Sequence, residues 1–503
     1  MALLGIDIGT SGVKASVFEK DGTLLGTGRF EYPTLHPAPG HAELDSTEVY
    51  ARSCDAIRAA VAEANSAGAI EAMCFTSMAE AMVPVSADRR ILGHSILGTD
   101  VRGEQYVPRL AEAFTPTELY SINPNILGPS YSMPKLCWLQ EHQPDLYGKT
   151  DFFLAWADCL PFLLGCEAIT NYTHANRTLL FDIRREGWSE PLIEAAGLDG
   201  DKLAPTVRPG HVLGPISAEA ARDLGIAGRP PVVVGAHDQC CNAVGAGAIN
   251  AGDAVCGIGT VECITPVYAS IPRSGPMLEA GLNVEHHAIA GRYVSFIYNQ
   301  AGRLVRWLRD LVGHGENARF SDLMDELPEE ASGLLALPYF EPTGAPKFAH
   351  GGAGSILGLS PEVDRGRLLK GILEAESYYF VEPLEQLTSL GFETNKIVAT
   401  GGGSQSDNWL QLKADVFGIP ITRLHTSEAG TLGAAIVAGV AVGTYSTVEE
   451  AIDSTVRFSD RFEARPDRHK SYREWHGLYR RLYSTLAPLL DDIRRLRSHP
   501  TAE

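Results

Sequence analysis

Asp7-Ile8-Gly9-Thr10-Ser11-Gly12 puts a carboxylate, two glycines and two hydroxyls within one short segment. A hairpin tip of that composition exposes backbone N–H and side-chain O–H groups together, which can cradle phosphate oxygens. Asp7 could orient a hydrated Mg²⁺ through water, and Lys14 adds a cation just beyond the tip. An ordinary hairpin turn could use the same residues. Gly257-Ile258-Gly259-Thr260 repeats the device in the second half, and two such tips facing each other would clamp a polyphosphate from both sides. Gly401-Gly402-Gly403-Ser404 follows a strand and precedes a helix, so backbone can approach a flat ligand beside a helix N-terminus. Pro231-Val232-Val233-Val234 reads as a buried strand that delivers Asp238 to the start of a helix of small residues. There Asp238 is either a helix cap or a carboxylate aimed into a cleft. His237 reads as supporting its neighbour. Glu80, after the strand ending at Thr76, and Asp100 and Arg102, after Ile96-Leu97-Gly98, are either solvated loop charges or charges at the ligand-binding edge of an α/β sheet. No P-loop, dinucleotide fingerprint, nucleophile elbow or zinc-ligand spacing is present.

These residues need a scaffold. Leu3–Ile8, Val13–Phe18 and Leu24–Gly28 read as a three-strand antiparallel meander with turns at 9–12 and at Asp21-Gly22. An amphipathic helix over Thr47–Ala67 and a strand over Ala69–Thr76 follow. Strand, Gly-Thr turn and strand recur over Ala254–Ile264, and Ile397–Thr400 is a strand leading to a helix from about Asp407. Two copies of a hairpin followed by α/β units predict a duplicated α/β architecture. The domains are expected at 1–246 and 247–464, with the charged segment 465–503 forming a helix that covers a domain surface.

The chain has 503 residues, of which 45% are hydrophobic and 21% charged, the balance of a multi-domain globular protein. Lys and Arg number 42 against 62 Asp and Glu, a net charge of −20, which disfavours nucleic acid and anionic membrane as partners. The nine scattered Cys residues fit a reduced, cytoplasmic protein. The N-terminal segment lacks a basic region and Asp7 interrupts its apolar run, so a leader peptide is not expected. Ala429–Val448 is uncharged but rich in Ala and Gly, and reads as a closely packed buried helix rather than a membrane span. The oligomeric state is left open, a homodimer included.

Six segments in this order resemble the FGGY carbohydrate kinases of the actin-like ATPase superfamily. They are Asp7-x-Gly9-Thr10-Ser11, Gly235-x-His237-Asp238-Gln239, Gly257-x-Gly259-Thr260, Asn299-x-Ala301-Gly302-x-x-x-Arg306-Trp307-Leu308-Arg309-Asp310, Gly401-Gly402-Gly403 and Glu428-x-Gly430-x-x-Gly433-Ala434-Ala435. The resemblance spans nearly the whole chain. It implies two actin-like (ribonuclease H-like) domains around a central cleft. It further implies that Gly9, Thr10 and Ser11 contact the γ-phosphate side of ATP, with Lys14 at a position often basic and Asp7 serving Mg²⁺ through water. Gly259 and Thr260 would meet the β- and γ-phosphates, and Gly302, Gly402, Gly403 and Asn408 would line the adenine nucleotide. Asp238 falls on the family's catalytic base and Gln239 beside the substrate, with Glu80, Asp100 and Arg102 at the sugar end. Two positions depart from the family pattern: no Arg precedes Glu80, and Gly98-Thr99 replaces the Trp common before Asp-x-Arg.

The implied activity is ATP-dependent phosphorylation of a hydroxyl on a small polyol or ketose, of tetritol, pentitol or pentulose type. Two alternatives are an actin-like ATPase without a sugar substrate, which sugar-independent ATP turnover would favour, and a catalytically silent sugar-binding regulator. The intact Asp7, Asp238 and Thr260 and the lack of a basic DNA-binding segment weigh against the regulator.

Overall fold

The computed structural model describes residues 2–64, 69–299, 301–312, 320–340, 343, 346–347 and 354–498. Apolar residues crowd the opening segment, and it forms the meander β1 (Ala2–Ile8), β2 (Gly12–Glu19) and β3 (Leu24–Glu31). β1 is buried along nearly its whole length, as expected of a strand covered on both faces. Helix α1 (Ser46–Glu63) follows, its first turn closed by the Asp45 carboxylate, which accepts from the N–H groups of Thr47 and Glu48. It starts one residue before the expected Thr47, and the expected continuation over 65–67 lies outside the described residues. β4 (Ile70–Ser77) then runs parallel to β1. β5 (Val212–Pro215) and β6 (Pro231–Val233) complete a six-stranded sheet of order β5-β6-β4-β1-β2-β3.

The second sheet repeats the plan. β7 (Asp253–Ile258) lies between its antiparallel hairpin partner β8 (Glu262–Tyr268) and the parallel strand β10 (Lys396–Thr400). β9 (Ile297–Asn299) pairs with β8. β11 (Ile421–Leu424) is parallel to β10, and β12 (Phe458–Phe462) closes the edge antiparallel to β11. Each sheet thus has a central strand, an antiparallel partner on one side, two parallel strands on the other and an antiparallel edge. The duplicated α/β fold with two domains expected from the two Gly-Thr hairpins is the fold observed.

Helix α2 (Asp238–Gly245) follows the last strand of the first sheet, and α6 (Ala429–Ala441) lies between β11 and β12 of the second in the chain yet packs on β1 and β4 of the first. Between them in sequence lie α3 (Ala301–Val312), α4 (Arg365–Ser389) and α5 (Asp407–Phe417). The uncharged stretch 429–448 is not one helix. α6 ends at Ala441, Gly443 turns the chain at φ 79°, and Val448 opens a separate helix. Among the described residues no helix is long and apolar enough to cross a membrane. The charged C-terminal segment forms α7 (Pro466–Ser498), which places Tyr472, Tyr479, Leu482 and Leu490 in the core of the second half.

α2 and α6 cross at backbone distance. A Cβ on Gly433 would lie 1.8 Å from the Cys241 carbonyl oxygen, and one on Gly245 would lie 1.9 Å from that of Ala429. Gly5 of β1 receives α6 just as closely, 1.9 Å from the Thr431 oxygen. Glycine is needed here for lack of a side chain. Gly433→Val must push the helices apart, and overpacking of this kind costs about 1–3 kcal/mol or more. We expect a clear drop in melting temperature by calorimetry. Gly477→Ala on α7, where a Cβ meets nothing within 4 Å, should leave it unchanged or slightly higher.

Candidate functional site

Strand register brings distant residues to one edge. Asp7 stands beside Thr76, Ile8 beside Ser77, and Ser77 in turn bridges to His237. The turn after β1, the loop carrying Glu80 and the start of α2 therefore leave the first sheet side by side. In the second sheet Gly257 pairs with Thr400, so the Gly259–Thr260 tip and the glycine run emerge together. α2 borders both edges, since Asn242 donates to Thr400 Oγ1 at 3.3 Å.

The two tips differ in their support. Gly9 N–H closes its turn on the Gly12 carbonyl at 2.9 Å, and the Tyr32 hydroxyl holds the Gly9 carbonyl at 2.6 Å. Thr10 and Ser11 are exposed at the apex, as are Gly259 and Thr260 on the other tip. Gly302 packs beneath the second tip, where a Cβ would meet the Gly259 carbonyl at 1.9 Å, and Arg303 N–H donates to Thr260 O. Gly302 thus seats α3 against the tip.

Beside the first tip Asp7 is partly buried, and a Cβ on Gly430 would touch its carboxylate at 2.7 Å. Burial first, then the neighbouring Asp238 carboxylate, pushes the Asp7 carboxyl up to about 7, with Lys14 opposing. Lys14 is not a free cation at the tip. It forms an ion pair with Glu428, just ahead of α6, at 2.9 Å.

In the glycine run, a Cβ on Gly403 would collide with Ile258 at 2.3 Å and Trp409 at 2.8 Å, whereas Gly402 faces open space. The Asn408 amide donates to the Met324 carbonyl at 2.8 Å, tying α5 to a neighbouring helix. Of the four residues expected to line the adenine nucleotide, Gly402 alone presents an unobstructed position. Gly302, Gly403 and Asn408 have structural contacts that account for them.

Asp238 occupies the first turn of α2 and is partly exposed, while His237 is the cap, its Nδ1 accepting from Gln239 N–H at 3.1 Å. The same nitrogen lies 2.8 Å from Asp238 Oδ1. One ring nitrogen cannot both accept and donate, so the two contacts belong to different protonation states. Burial alone would lower the His237 pKa, but the Asp238 and Glu80 carboxylates outweigh it and raise it, which favours donation to Asp238. The ring also stacks on Phe296, centroids 4.7 Å apart. Asp238 is therefore not the cap that its position in the sequence allowed. Gln239 Oε1 is buried and has no hydrogen-bond partner among the described residues.

Glu80 has its arginine after all, from a different part of the chain. Arg177 donates through Nε at 2.7 Å and Nη2 at 2.5 Å to Glu80 Oε1. Its Nη1 reaches Asn125 at 3.2 Å and, from the second half, Glu285 at 3.1 Å. Burial would raise the Glu80 carboxyl, but Arg177 and then His237 hold it down at about 2. Asp100 and Arg102 do not join this cluster. Asp100 is fully buried and accepts from the N–H groups of Ala42 and Arg102 and from Arg102 Nε. Arg102 also pairs with Glu43 at 2.8 Å and lies over the Trp138 ring. Their charges satisfy one another and the backbone, so the expectation that both face the sugar is corrected.

Residues 2–245 match the model of the FGGY family of carbohydrate kinases, N-terminal domain, and 265–442 match that of its C-terminal domain. The chain belongs to the FGGY family of carbohydrate kinases. It is 26% identical to a xylulose kinase of Bacillus subtilis over 99% of both chains. It is 28% identical to an autoinducer-2 kinase of Yersinia enterocolitica over 97% of this chain and 95% of that one. In structure it is similar to a xylulose kinase from Rhodospirillum rubrum, with TM-score 0.88 and 26% identity, covering 98% of this chain and 100% of the other. As an FGGY kinase it is an ATP-dependent phosphotransferase acting on an alcohol group of a carbohydrate.

Residue-type reasoning missed Arg177, Glu285, Tyr131 and Phe296. A signal for the first was present: Thr170–Thr178 is a polar run with an arginine and no acidic residue, lodged between apolar segments. It missed Lys135 as well, which is buried behind Glu80 with Nζ donating to the Ser130 carbonyl at 2.5 Å. Burial lowers the Lys135 pKa from 10.5 to about 7. A folded-state pKa below the unfolded one means that protonation favours unfolding. The destabilisation is full below pH 7 and fades as pH rises toward 10.5. Lys135→Met should therefore stabilise the kinase more at pH 6 than at pH 9.5, as measured by urea denaturation at the two pH values.

Proposed function

We propose that this kinase transfers the γ-phosphate of ATP to a hydroxyl of a small polyol or ketose, with Asp238 as the base that orients and deprotonates it. Residues 1–246 would carry the acceptor site and first phosphate tip, 247–464 the nucleotide side, and 465–503 the covering helix. The observation that carries the reading is the shared strand edge from which the Gly9–Ser11 tip, Glu80 and Asp238 all emerge. Pentulose is supported as acceptor by the similarity to xylulose kinases.

Phosphoryl transfer goes through a loose transition state whose charge lies on the phosphoryl oxygens, so positioning and electrostatics dominate. Backbone N–H and hydroxyl groups of Gly9, Thr10, Ser11, Gly259 and Thr260 would hold the triphosphate, with Gly402 beside the nucleotide. A partly buried carboxyl near a second carboxyl fits a hydrated divalent cation, and Asp7 would hold Mg²⁺ through water, which would supply charge neutralisation on the phosphates. Asp238, oriented by His237, takes the proton of the attacking hydroxyl as the bond to phosphorus forms. Glu80 accepts hydrogen bonds from neighbouring hydroxyls of the acceptor.

An ADP-release assay against tetritols, pentitols, ketotetroses, pentuloses and hexuloses tests the activity, and acceptor-independent release would instead favour a plain ATPase. Asp238→Asn keeps shape but cannot take the proton, so kcat should fall by about 10²–10⁴-fold. ATP affinity and melting temperature should stay close to wild type, and activity within a few-fold of wild type would remove Asp238 from the chemistry. Gly402→Val should weaken ATP binding by calorimetry in a protein of unchanged stability. Gly403→Val should lower stability as well, because its side chain meets protein atoms.

A further inference from the structure

The Arg177 cluster carries an inference about which acceptors this kinase admits, and it rests on the reading of Glu80 as the acceptor's hydrogen-bond partner. Four of the five guanidinium N–H bonds of Arg177 are engaged, by Glu80, Asn125 and Glu285. Two rings lie near the guanidinium, the Tyr131 centroid at 4.7 Å and the Phe296 centroid at 5.8 Å. Glu285 is saturated in turn: Arg177 and Asn283 bond its Oε1 and Asn176 its Oε2. Glu80 is not. Its Oε1 takes both Arg177 bonds, while its Oε2 accepts no hydrogen bond among the described residues and lies 3.6 Å from where a Cβ on Gly98 would stand.

The remaining polar groups at this end are of the same kind. Asp238 is an acceptor, Gln239 is uncharged, and Lys135 is directed to the Ser130 carbonyl. Among the described residues the cationic groups at this end already have protein partners: Arg177 is held by two carboxylates, Lys135 by a backbone carbonyl and His237 by Asp238. We propose that Arg177 is a positioning residue that fixes Glu80 as an outward-facing anionic acceptor. The site thereby selects uncharged polyhydroxy acceptors and rejects sugar acids. A carboxylate on the substrate would confront Glu80 and Asp238 at short range with no compensating partner, whereas hydroxyl groups supply the donors that these oxygens lack.

The test is calorimetric binding without nucleotide, so that it does not depend on turnover, using xylitol, D-xylulose and D-xylonate. Wild type should bind at least one of the two neutral compounds and bind xylonate at least ~10-fold more weakly, the scale of one lost charged hydrogen bond. Glu80→Gln keeps the shape, removes the anion and frees the charge of Arg177. It should narrow or reverse the preference by weakening the neutral ligand and strengthening xylonate. Arg177→Lys keeps the charge but cannot make the two-bond hold on Glu80. It should raise the acceptor KM by more than it lowers kcat, with ATP affinity unchanged. Equal affinity of wild type for xylonate and the neutral pair, or an Arg177→Lys enzyme that loses melting temperature and ATP affinity along with the acceptor, would overturn the proposal. So would failure of wild type to bind either neutral compound. Selective binding of a neutral compound with no ADP release would leave it standing and overturn the kinase reading of Asp238.

Discussion

The cleft depends on one contact, the crossing of α2 and α6 at backbone distance. α2 begins with Asp238, and α6 begins immediately after Glu428, whose carboxylate holds Lys14 and whose following Gly430 abuts Asp7. Strand register in the first sheet sets Asp7 near the start of α2, and the close approach of the two helices holds Gly430 against the Asp7 carboxylate. Gly245 and Gly433 permit an approach that any side chain would prevent. The crossing also joins the halves, because α6 lies between β11 and β12 of the second sheet in the chain yet packs on β1 of the first through Gly5 and Thr431. A rigid backbone contact is suited to this purpose, since catalytic groups must be held more tightly than long flexible side chains allow.

Around that contact the charges are arranged with little slack. Asp7, Asp238, Glu80, Glu285 and Glu428 bring acidic groups together, and Lys14 and Arg177 answer them. Lys14 is held by Glu428 and Arg177 by Glu80 and Glu285, so each cation sets the position of an anion. Asp7 bears the remainder: partly buried and near Asp238, its carboxyl is driven to about 7. That unfavourable proximity makes sense where a divalent cation and a polyphosphate enter together. The cysteines take no part in this electrostatics. All nine are free and buried, and burial pushes the thiols of Cys240 and Cys241 up, away from the reactive thiolate.

The duplicated fold was legible because it rests on local signals. Glycine and hydroxyl residues at hairpin tips, apolar strands of the right length and an acidic residue at a helix start are all short-range patterns, and both sheets follow them. Asp7, Asp238 and the two tips were legible for the same reason. What could not be read is which side chain meets which across the fold. Glu80 finds Arg177 almost a hundred residues away (|i−j| = 97), and Lys14 finds Glu428 across most of the chain (|i−j| = 414). Asp100 and Arg102 have the composition of a ligand-binding pair, but a carboxylate one residue removed from an arginine can satisfy it locally, and here it does. Gly403 and Gly402 are equivalent in sequence, and only the neighbouring Ile258 and Trp409 distinguish them. The break in the 429–448 stretch turns on Gly443, one glycine among several whose positive φ the sequence does not single out.

A net charge of −20 would seem to disfavour a triphosphate ligand, and the way this chain resolves the conflict explains the division of the cleft. On the proposed phosphate side the exposed groups at the tips are glycine backbone and threonine and serine hydroxyls, donors that carry no formal charge. Such donors bind anions through fixed dipoles at short range, and they do not require a basic surface. Lys14, just beyond the first tip, is already neutralised by Glu428. On the acceptor side charged side chains crowd the wall and pair with one another, Glu80 with Arg177 and Asp238 with His237, and Glu80 Oε2 accepts no hydrogen bond among the described residues. Donors face where phosphate oxygens would lie, and acceptors face where hydroxyls would lie. On the proposed reading, the polarity of the two walls would favour the phosphate end of the reaction on one side and the hydroxyl end on the other.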